Sequence, residues 1–218
     1  MASDFTDFVL AQLPRPCRLL EVGCGAGELA HTLDAAGHDV LAIDPAAPEG
    51  AIFQRVTLEE LELQGDVGVH LHHFDAVVAS RSLHHMHDLG AALDKLALLA
   101  PLLILDEFAW DRLDARTADW YESERRVLLA TGAEPEELDP DGWVREHEDL
   151  HGFEAMRTAL DERFEARHFE WAPYLYRYLD GVATESLERT LIEMDAIAAL
   201  GFRYAGVSST TPSPARSR

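Results

Sequence analysis

The strongest constraint on this chain is a glycine-rich run that directly follows a short apolar segment. Residues 18–22 are mainly apolar, and glycines follow at alternate positions, Gly23, Gly25 and Gly27. Glycine allows a positive φ and lets a ligand approach the main chain where a Cβ would collide. A helix is expected from about residue 28 to residue 36. The run therefore predicts a strand, a small-ligand loop and a helix whose amide groups face the ligand, although a plain glycine turn is the alternative.

The spacing of this run differs from the pyrophosphate fingerprint G-x-G-x-x-G. Here the pattern is E-x-G-x-G-x-G, and Glu21 ends the apolar segment. A carboxylate there repels phosphate but accepts hydrogen bonds from a cationic or hydroxylated ligand. The run resembles motif I of the class I S-adenosylmethionine-dependent methyltransferases. The resemblance implies that the loop, Cys24 included, holds the amino-acid and ribose part of S-adenosylmethionine.

A second apolar segment, 38–44, ends in Asp44, about 20 residues beyond the glycine loop, the distance at which an acid meets ribose hydroxyls. The resemblance assigns that role to Asp44, which Pro45 follows; a solvated strand end before a turn proline is the alternative. After a weak third strand near 51–56, Thr57 and Leu58 are expected beside the adenine. Thr57 stands where the family often has an acid or amide, and Glu59 or Glu60 could substitute for it. A capping box of Thr57 with Glu60 explains the pattern equally well.

A third match is the run 74–88, which contains Leu-His-His-Met and resembles the fourth strand of the family and the loop after it. The resemblance implies that Ser80, Arg81 and Ser82 lie behind the cofactor and that the paired histidines face the acceptor. Histidine titrates near neutral pH and can take a proton from an acceptor, so His84 or His85 is the predicted base. At most one is expected to point at substrate, and catalysis by orientation alone is the alternative.

Two adjacent acids, Asp106 and Glu107, follow the predicted fifth strand, 102–105. Related sugar and polyketide O-methyltransferases carry an acid here that assists the base or holds an acceptor hydroxyl, and a solvated strand end is the alternative. Two other sets of histidines lack the cysteine or glutamate framing of a metal site, so no metal is predicted. These sets are His70, His72 and His73, and the i,i+4 pair His147 and His151.

The alternation of apolar and helical segments predicts an α/β fold: a Rossmann-like, seven-stranded, mostly parallel sheet with an antiparallel last strand. We expect one methyltransferase domain over 1–218, with a helical cap insertion in two parts over about 110–164 and a disordered tail over 208–218. Final strands are expected within 164–179 and 201–207, with a helix at 185–200 between them. Period two puts Tyr174, Tyr176 and Tyr178 on one strand face. The other predicted elements are a helix at 4–12 and strands at 18–22, 38–44, 51–56, 74–79 and 102–105.

Composition narrows the class of partner. The chain has 40 acidic and 18 basic side chains and a net charge of −22, which disfavours binding to nucleic acid. No apolar stretch approaches the roughly 18 residues of a membrane span, and no secretory signal pattern is present. Its two cysteines fit free thiols in a reducing cytoplasm. The arginine-rich, lysine-poor composition is typical of a GC-rich bacterial genome or of salt adaptation.

These patterns predict a cytoplasmic, S-adenosylmethionine-dependent methyltransferase acting on a small molecule, at oxygen rather than nitrogen or carbon. The resemblance extends from about residue 18 to residue 110. Two alternatives are a cofactor-binding subunit without transferase activity and a nicotinamide-dependent oxidoreductase, against which the Glu21 carboxylate argues. The acceptor and the oligomeric state stay open.

Overall fold

The computed structural model describes residues 4–14, 16–62, 73–179 and 182–209. Its helices are α1 Asp4–Gln12, α2 Glu28–Ala35, α3 Leu89–Leu99, α4 Ala115–Ala130, α5 Pro140–His147, α6 Phe153–Asp161 and α7 Val182–Glu193. Its strands are β1 Arg18–Val22, β2 Asp39–Ile43, β3 Phe53–Gln54, β4 Ala76–Ser80, β5 Leu102–Phe108, β6 Phe164–Ala172 and β7 Gly201–Ser208. Short 3-10 turns cover Leu83–His85, Trp110–Arg112 and Leu175–Tyr178.

The seven strands form one sheet in the order β3-β2-β1-β4-β5-β7-β6. Strands β1 to β5 pair in parallel, whereas β7 is antiparallel to both β5 and β6. The Rossmann-like fold expected from the sequence is confirmed. Strands β2 and β4 lie on opposite sides of β1, so the strand order reverses there. A crevice opens at the carboxyl ends of the strands at such a reversal, and this is where ligands bind in such sheets.

The core lies on both faces of the sheet because successive side chains of a strand point to opposite sides. Leu19 of β1 joins a cluster with α1 and α2, whereas its neighbour Leu20 joins a cluster with α3 and α6. Both leucines are fully buried. Helices on both faces explain why the central strands are apolar throughout instead of alternating.

Helical structure fills most of 110–164, but in three α-helices rather than two parts. Asp114 and Asp139 cap α4 and α5 by accepting hydrogen bonds from backbone N–H groups, and Gly152 begins α6. The third helix was missed because glycine is a weaker start signal than aspartate at an N-cap. Phe153 and Met156 of α6 belong to the main core cluster.

Three expectations for the carboxyl-terminal part are wrong. The tyrosines do not alternate along a strand, because β6 ends before Pro173 and residues 175–178 form a 3-10 turn. The last helix covers Val182–Glu193 instead of 185–200, and the chain leaves it at Asp195, whose φ is 56°. Ser208 lies in β7, so the expected tail cannot begin there, and residues 210–218 lie outside the described part of the chain. No helix among the described residues is long and apolar enough to cross a membrane.

Candidate active site

The glycine loop follows β1 and contacts the residues at the carboxyl ends of β2 and β4. The amides of Gly23 and Cys24 both donate to the Ile43 carbonyl, at 2.9 and 3.2 Å. Gly23 has a φ of 75°, and a Cβ there would lie 2.1 Å from Ser82 Oγ. Gly27 has a φ of 82°, and its Cβ would lie 2.5 Å from the Phe53 ring. Both positions therefore require glycine on conformational and steric grounds.

Gly25 and Asp44 form the open part of this loop. Gly25 N–H donates to Asp44 Oδ2 at 3.1 Å, and Ala46 N–H donates to Oδ1 at 2.7 Å. A Cβ on Gly25 would meet nothing within 4 Å, so the main chain is open to a ligand here. The two amides fix the half-buried Asp44 carboxylate at the end of β2.

Glu21 is a buried carboxyl group with an unused hydrogen-bonding atom. The residue is 3% exposed, and its Oε2 has no partner among the described residues. Burial raises the pKa of Glu21 to about 8, the Asp44 charge adds to this rise, and a backbone hydrogen bond from Ala30 opposes it. A buried carboxyl without a partner is costly and fits a ligand that supplies a positive charge or hydrogen-bond donor.

A cavity of about 750 Å³ lies at the carboxyl ends of the parallel strands. This volume is in the range typical of small-ligand sites. Its walls include nine of the residues named from sequence: Gly23, Asp44, Pro45, Thr57, Leu58, Glu59, Arg81, Ser82 and His85. The other wall residues are Val22, Ile43, Val56, Met86, His87, Asp88, Ala91, Ala92 and Lys95. Eight further expected residues are not among the wall residues: Glu21, Cys24, Gly25, Gly27, Ser80, His84, Asp106 and Glu107.

Thr57, one of the expected cofactor residues, also has a structural role. Thr57 N–H donates to Glu60 Oε2 at 3.0 Å, and Glu60 N–H donates to Thr57 Oγ1 at 3.2 Å. This is the capping box that the sequence analysis gave as the alternative. Thr57 therefore forms the cap and also lines the cavity.

Cys24 of the glycine loop carries a neutral thiol. Burial and the charges of Glu21 and Asp44 raise the pKa of the Cys24 thiol to about 11.

The backbone at the end of β4 adopts an uncommon conformation. Arg81 has a φ of 52°, and its N–H donates to the Asp106 carbonyl at 2.7 Å. A positive φ in a residue other than glycine costs of order 1 kcal/mol and is enriched at functional sites. Ser82 follows, with Oγ 3.0 Å from the Val22 carbonyl, and this contact determines how closely the glycine loop approaches β4. The resemblance expected Ser82 behind the cofactor, and the fold brings it against Gly23.

Glu107 organises the turn that carries the paired histidines. It is 1% exposed and accepts hydrogen bonds from the amides of Ser82 and Leu83 at 2.7 and 2.6 Å. Its second oxygen lies 2.6 Å from His84 Nδ1. His84 itself is 4% exposed, so the Glu107–His84 pair lies beneath the cavity wall and not in it.

His85 is the histidine that faces the cavity. Its ring lies 4.2 Å from the His84 ring, between centroids, and is exposed. Partial burial and then the neighbouring His84 lower the pKa of His85, a charge at His147 acts in the same direction, and Glu107 opposes them. The imidazole is therefore neutral at pH 7 and has a basic nitrogen available in the cavity wall.

Asp106 faces a different environment from Glu107, because adjacent residues of β5 point to opposite sides. Its carboxylate lies 3.4 Å from Arg203 Nε and 3.6 Å from an Arg177 nitrogen. Burial raises the pKa of Asp106, against the opposing effect of the two arginines. The side chain does not line the cavity.

An aromatic cluster that connects the cap segment to β5 packs behind the histidine turn. Phe108 stacks on Tyr174 at 4.1 Å and contacts Trp143 and His147 edge to face. His147 Nδ1 donates to the Trp143 carbonyl at 2.7 Å. Within the described ranges, no group of His, Cys, Asp and Glu side chains could hold a metal ion. His70 and His72 lie outside those ranges.

A protein-family model described as "Methyltransferase domain" matches residues 1–170, more than half of the chain. The chain belongs to the class I S-adenosylmethionine-dependent methyltransferase family. Similar curated proteins are ubiquinone biosynthesis O-methyltransferases from two Rhodopseudomonas palustris strains, 30% identical over 95 residues. That match covers 38% of this methyltransferase and only 35% of each relative.

Solved methyltransferase structures share the fold of this methyltransferase. An S-adenosylmethionine-dependent methyltransferase from Mesorhizobium loti matches with a TM-score of 0.56 and 15% identity, over 92% of this chain and 96% of the other. The 1,6-didemethyltoxoflavin-N1-methyltransferase from Burkholderia thailandensis, bound to 1,6-didemethyltoxoflavin and S-adenosylhomocysteine, matches with a TM-score of 0.52 and 16% identity. The second match covers 95% of this chain and 78% of the other.

The cofactor of this methyltransferase is S-adenosylmethionine, and the residues present fit it. The cofactor carries an ammonium and a sulfonium charge, which suit the buried, unpartnered oxygen of Glu21. Its ribose hydroxyls suit the carboxylate of Asp44, and the absence of a Cβ at Gly25 leaves the loop open. The geometry thus agrees with the cofactor that the family uses.

Proposed function

We propose that the protein transfers the methyl group of S-adenosylmethionine to an oxygen atom of a small-molecule acceptor. The observation that carries the proposal is the position of the His85 imidazole, which lines the cavity above the buried Glu107–His84 pair. The expected link to O-methylation is also supported by the R. palustris relatives, whose printed name is O-methyltransferase.

We assign cofactor binding to the residues around the glycine loop and the ends of β2 and β4. Glu21 binds the ammonium group, and Asp44 accepts from the ribose hydroxyls. Thr57 and Leu58 border the adenine, with Pro45 on the other wall. The supporting positions are Gly23, Cys24, Gly25, Gly27, Ser80 and Arg81.

When bound, S-adenosylmethionine supplies an electrophilic methyl group on a positively charged sulfur. A hydroxyl acceptor becomes a good nucleophile only as it loses its proton, and His85 accepts that proton at its free ring nitrogen. Glu107 accepts the Nδ1 proton of His84, which orients the His84 ring against His85. Asp106 stays with its arginines, so we give Glu107 the positioning role and Asp106 none in proton transfer.

A small acceptor is supported by the size of the cavity and by the charge of the chain. The volume of about 750 Å³ accommodates the cofactor and a ligand of modest size. A net charge of −22 opposes the phosphate contacts on which nucleic-acid binding depends.

The test is a panel of phenols, alcohols and amines incubated with the protein and isotopically labelled S-adenosylmethionine, with products identified by mass spectrometry and NMR. We expect labelled O-methyl product. The rate should rise with pH, pass through an inflection below pH 6.5 and then stay constant. His85→Ala should lower kcat about 100-fold or more. His31→Ala, an exposed histidine on α2, is the matched control and should not change it. Labelled N-methyl or C-methyl product alone, or an unaltered pH profile in His85→Ala, would contradict the proposal.

A further inference from the structure

One residue of the cap segment, His151, lies between α5 and α6 and forms two hydrogen bonds with the histidine turn. The backbone N–H of His151 donates to the His84 carbonyl at 3.1 Å. Its ring Nε2 donates to the Met86 carbonyl at 2.7 Å. His151 therefore binds the carbonyls on both sides of His85, the predicted base.

These two bonds complement those made from the sheet. Glu107 holds the beginning of the turn through the amides of Ser82 and Leu83, and the turn closes on itself through the bond from His85 N–H to the Ser82 carbonyl at 3.2 Å. Nothing on the sheet side binds the carbonyls of His84 and Met86 among the contacts described. The end of the turn is thus held from the cap.

His151 is itself held firmly in place. The next residue, Gly152, lies against Asp111, where a Cβ would come within 2.5 Å of Oδ2. Asp111 Oδ1 accepts from Phe153 N–H at 2.9 Å and so begins α6, whose Phe153 is buried in the main core. A rigid element thus presents the imidazole of His151 to the turn, as precise positioning of a catalytic group requires.

We propose that His151 is a positioning residue that fixes the orientation of His85 and thereby connects the cap to the catalytic base. The inference rests on the proposed role of His85 as the base. It requires a hydrogen-bond donor at the position of Nε2, not merely a side chain of similar volume. Glutamine can place its amide nitrogen near that position, whereas asparagine reaches only the position of Nδ1.

The experiment compares wild type, His151→Gln and His151→Asn by NMR titration of 15N-labelled histidine, with His85→Gln used to assign the His85 signal. The groups that face His85 are His84, Glu107 and His147, and none is changed. In His151→Asn, release of the turn should expose His85 further and move it away from His84, so its measured pKa should rise toward 6.5 by more than about 0.2 pH unit. His151→Gln should titrate within about 0.2 pH unit of wild type.

Equal His85 titration in all three proteins, or an equal shift in both variants, would overturn the proposal, since either result removes the need for a donor at Nε2. If His151→Asn does not fold, His151→Gln decides alone: a folded Gln variant whose His85 titrates as in solvent contradicts the proposal. Calorimetry with S-adenosylhomocysteine is run in parallel. Failure of the wild type to bind it would refute the proposed function while leaving the titration result valid.

Discussion

Replacing Glu21 by glutamine should have opposite effects on stability and on cofactor binding. Folding raises the pKa of Glu21 from 4.5 to about 8. At a pH between these two pKa values, Glu21 is ionised in the unfolded chain but protonated in the folded chain. The carboxyl group therefore destabilises the ligand-free protein more strongly as the pH rises. At about 1.4 kcal/mol per pH unit, the penalty is about 2 kcal/mol at pH 6 and about 5 kcal/mol above pH 8.

Glu21→Gln keeps the shape of the side chain and removes this penalty. In urea denaturation of the ligand-free protein, we expect the free energy of unfolding of the variant to exceed that of wild type, by a margin that grows from pH 6 to pH 9. Glu28→Gln, which alters an exposed carboxyl of α2, is the control and should give a difference below about 0.5 kcal/mol at every pH. A Glu21 variant that is less stable, or whose difference does not change with pH, would refute the reasoning.

The same variant should bind S-adenosylhomocysteine at least about tenfold more weakly, because the ammonium group loses its ion partner. Binding of a positive charge favours the ionised carboxylate, so the wild type should release close to one proton per site at pH 7. Calorimetry in two buffers of different ionisation enthalpy measures this release. Glu21→Gln should lose that release, and equal proton release by the two proteins would contradict the assignment.

Two further substitutions test the supports of the site. Gly27→Ala should lower the free energy of unfolding by about 2 kcal/mol or more, since the new Cβ would lie 2.5 Å from the Phe53 ring and φ is 82°. Gly25→Ala meets nothing within 4 Å and should lower it by about 1 kcal/mol, because of the positive φ alone. Equal losses of the two variants in urea denaturation would contradict this account. Glu107→Ala should lower the free energy of unfolding by about 3 kcal/mol or more, because it leaves the buried amides of Ser82 and Leu83 without acceptors, and a loss below about 1 kcal/mol would show that the turn does not depend on this carboxylate.

The sequence predicted best those features that depend on residues close together in the chain. The spacing of the three glycines after β1 predicted a tight loop, and all three adopt a positive φ. The order of strands along the chain followed from the alternation of apolar and helical segments. The two histidines were expected to face differently, and in the fold His85 lines the cavity while His84 is buried.

The roles of Asp106 and Glu107 could not be separated from sequence. Pairing with β7 extends β5 to Phe108, which puts both acids inside the strand instead of after it. Adjacent strand residues then face opposite sides, so Glu107 meets the histidine turn and Asp106 meets Arg177 and Arg203. This outcome depends on a partner strand almost 100 residues away in the chain, which no local pattern encodes.

The tyrosines after β6 illustrate the same limit. Their period-two spacing is typical of a strand, but Glu188 of α7 accepts the amides of Tyr174, Leu175 and Tyr176 at 2.8, 3.0 and 2.7 Å. One buried carboxylate thus stabilises a tight turn where local propensity favours an extended chain. A glutamate on the buried face of a predicted helix is the only local hint of that contact.

The measurement that tests the central claim most directly is calorimetric titration of S-adenosylhomocysteine into wild type, Asp44→Ala and Asp39→Ala. Asp39 is an exposed residue at the opposite end of β2 and serves as the matched control. We predict binding to the wild type with a Kd of order 10 μM, at least about tenfold weaker binding to Asp44→Ala, and a change of less than about twofold for Asp39→Ala. No binding to the wild type at millimolar ligand, or equal affinity of wild type and Asp44→Ala, would contradict the account.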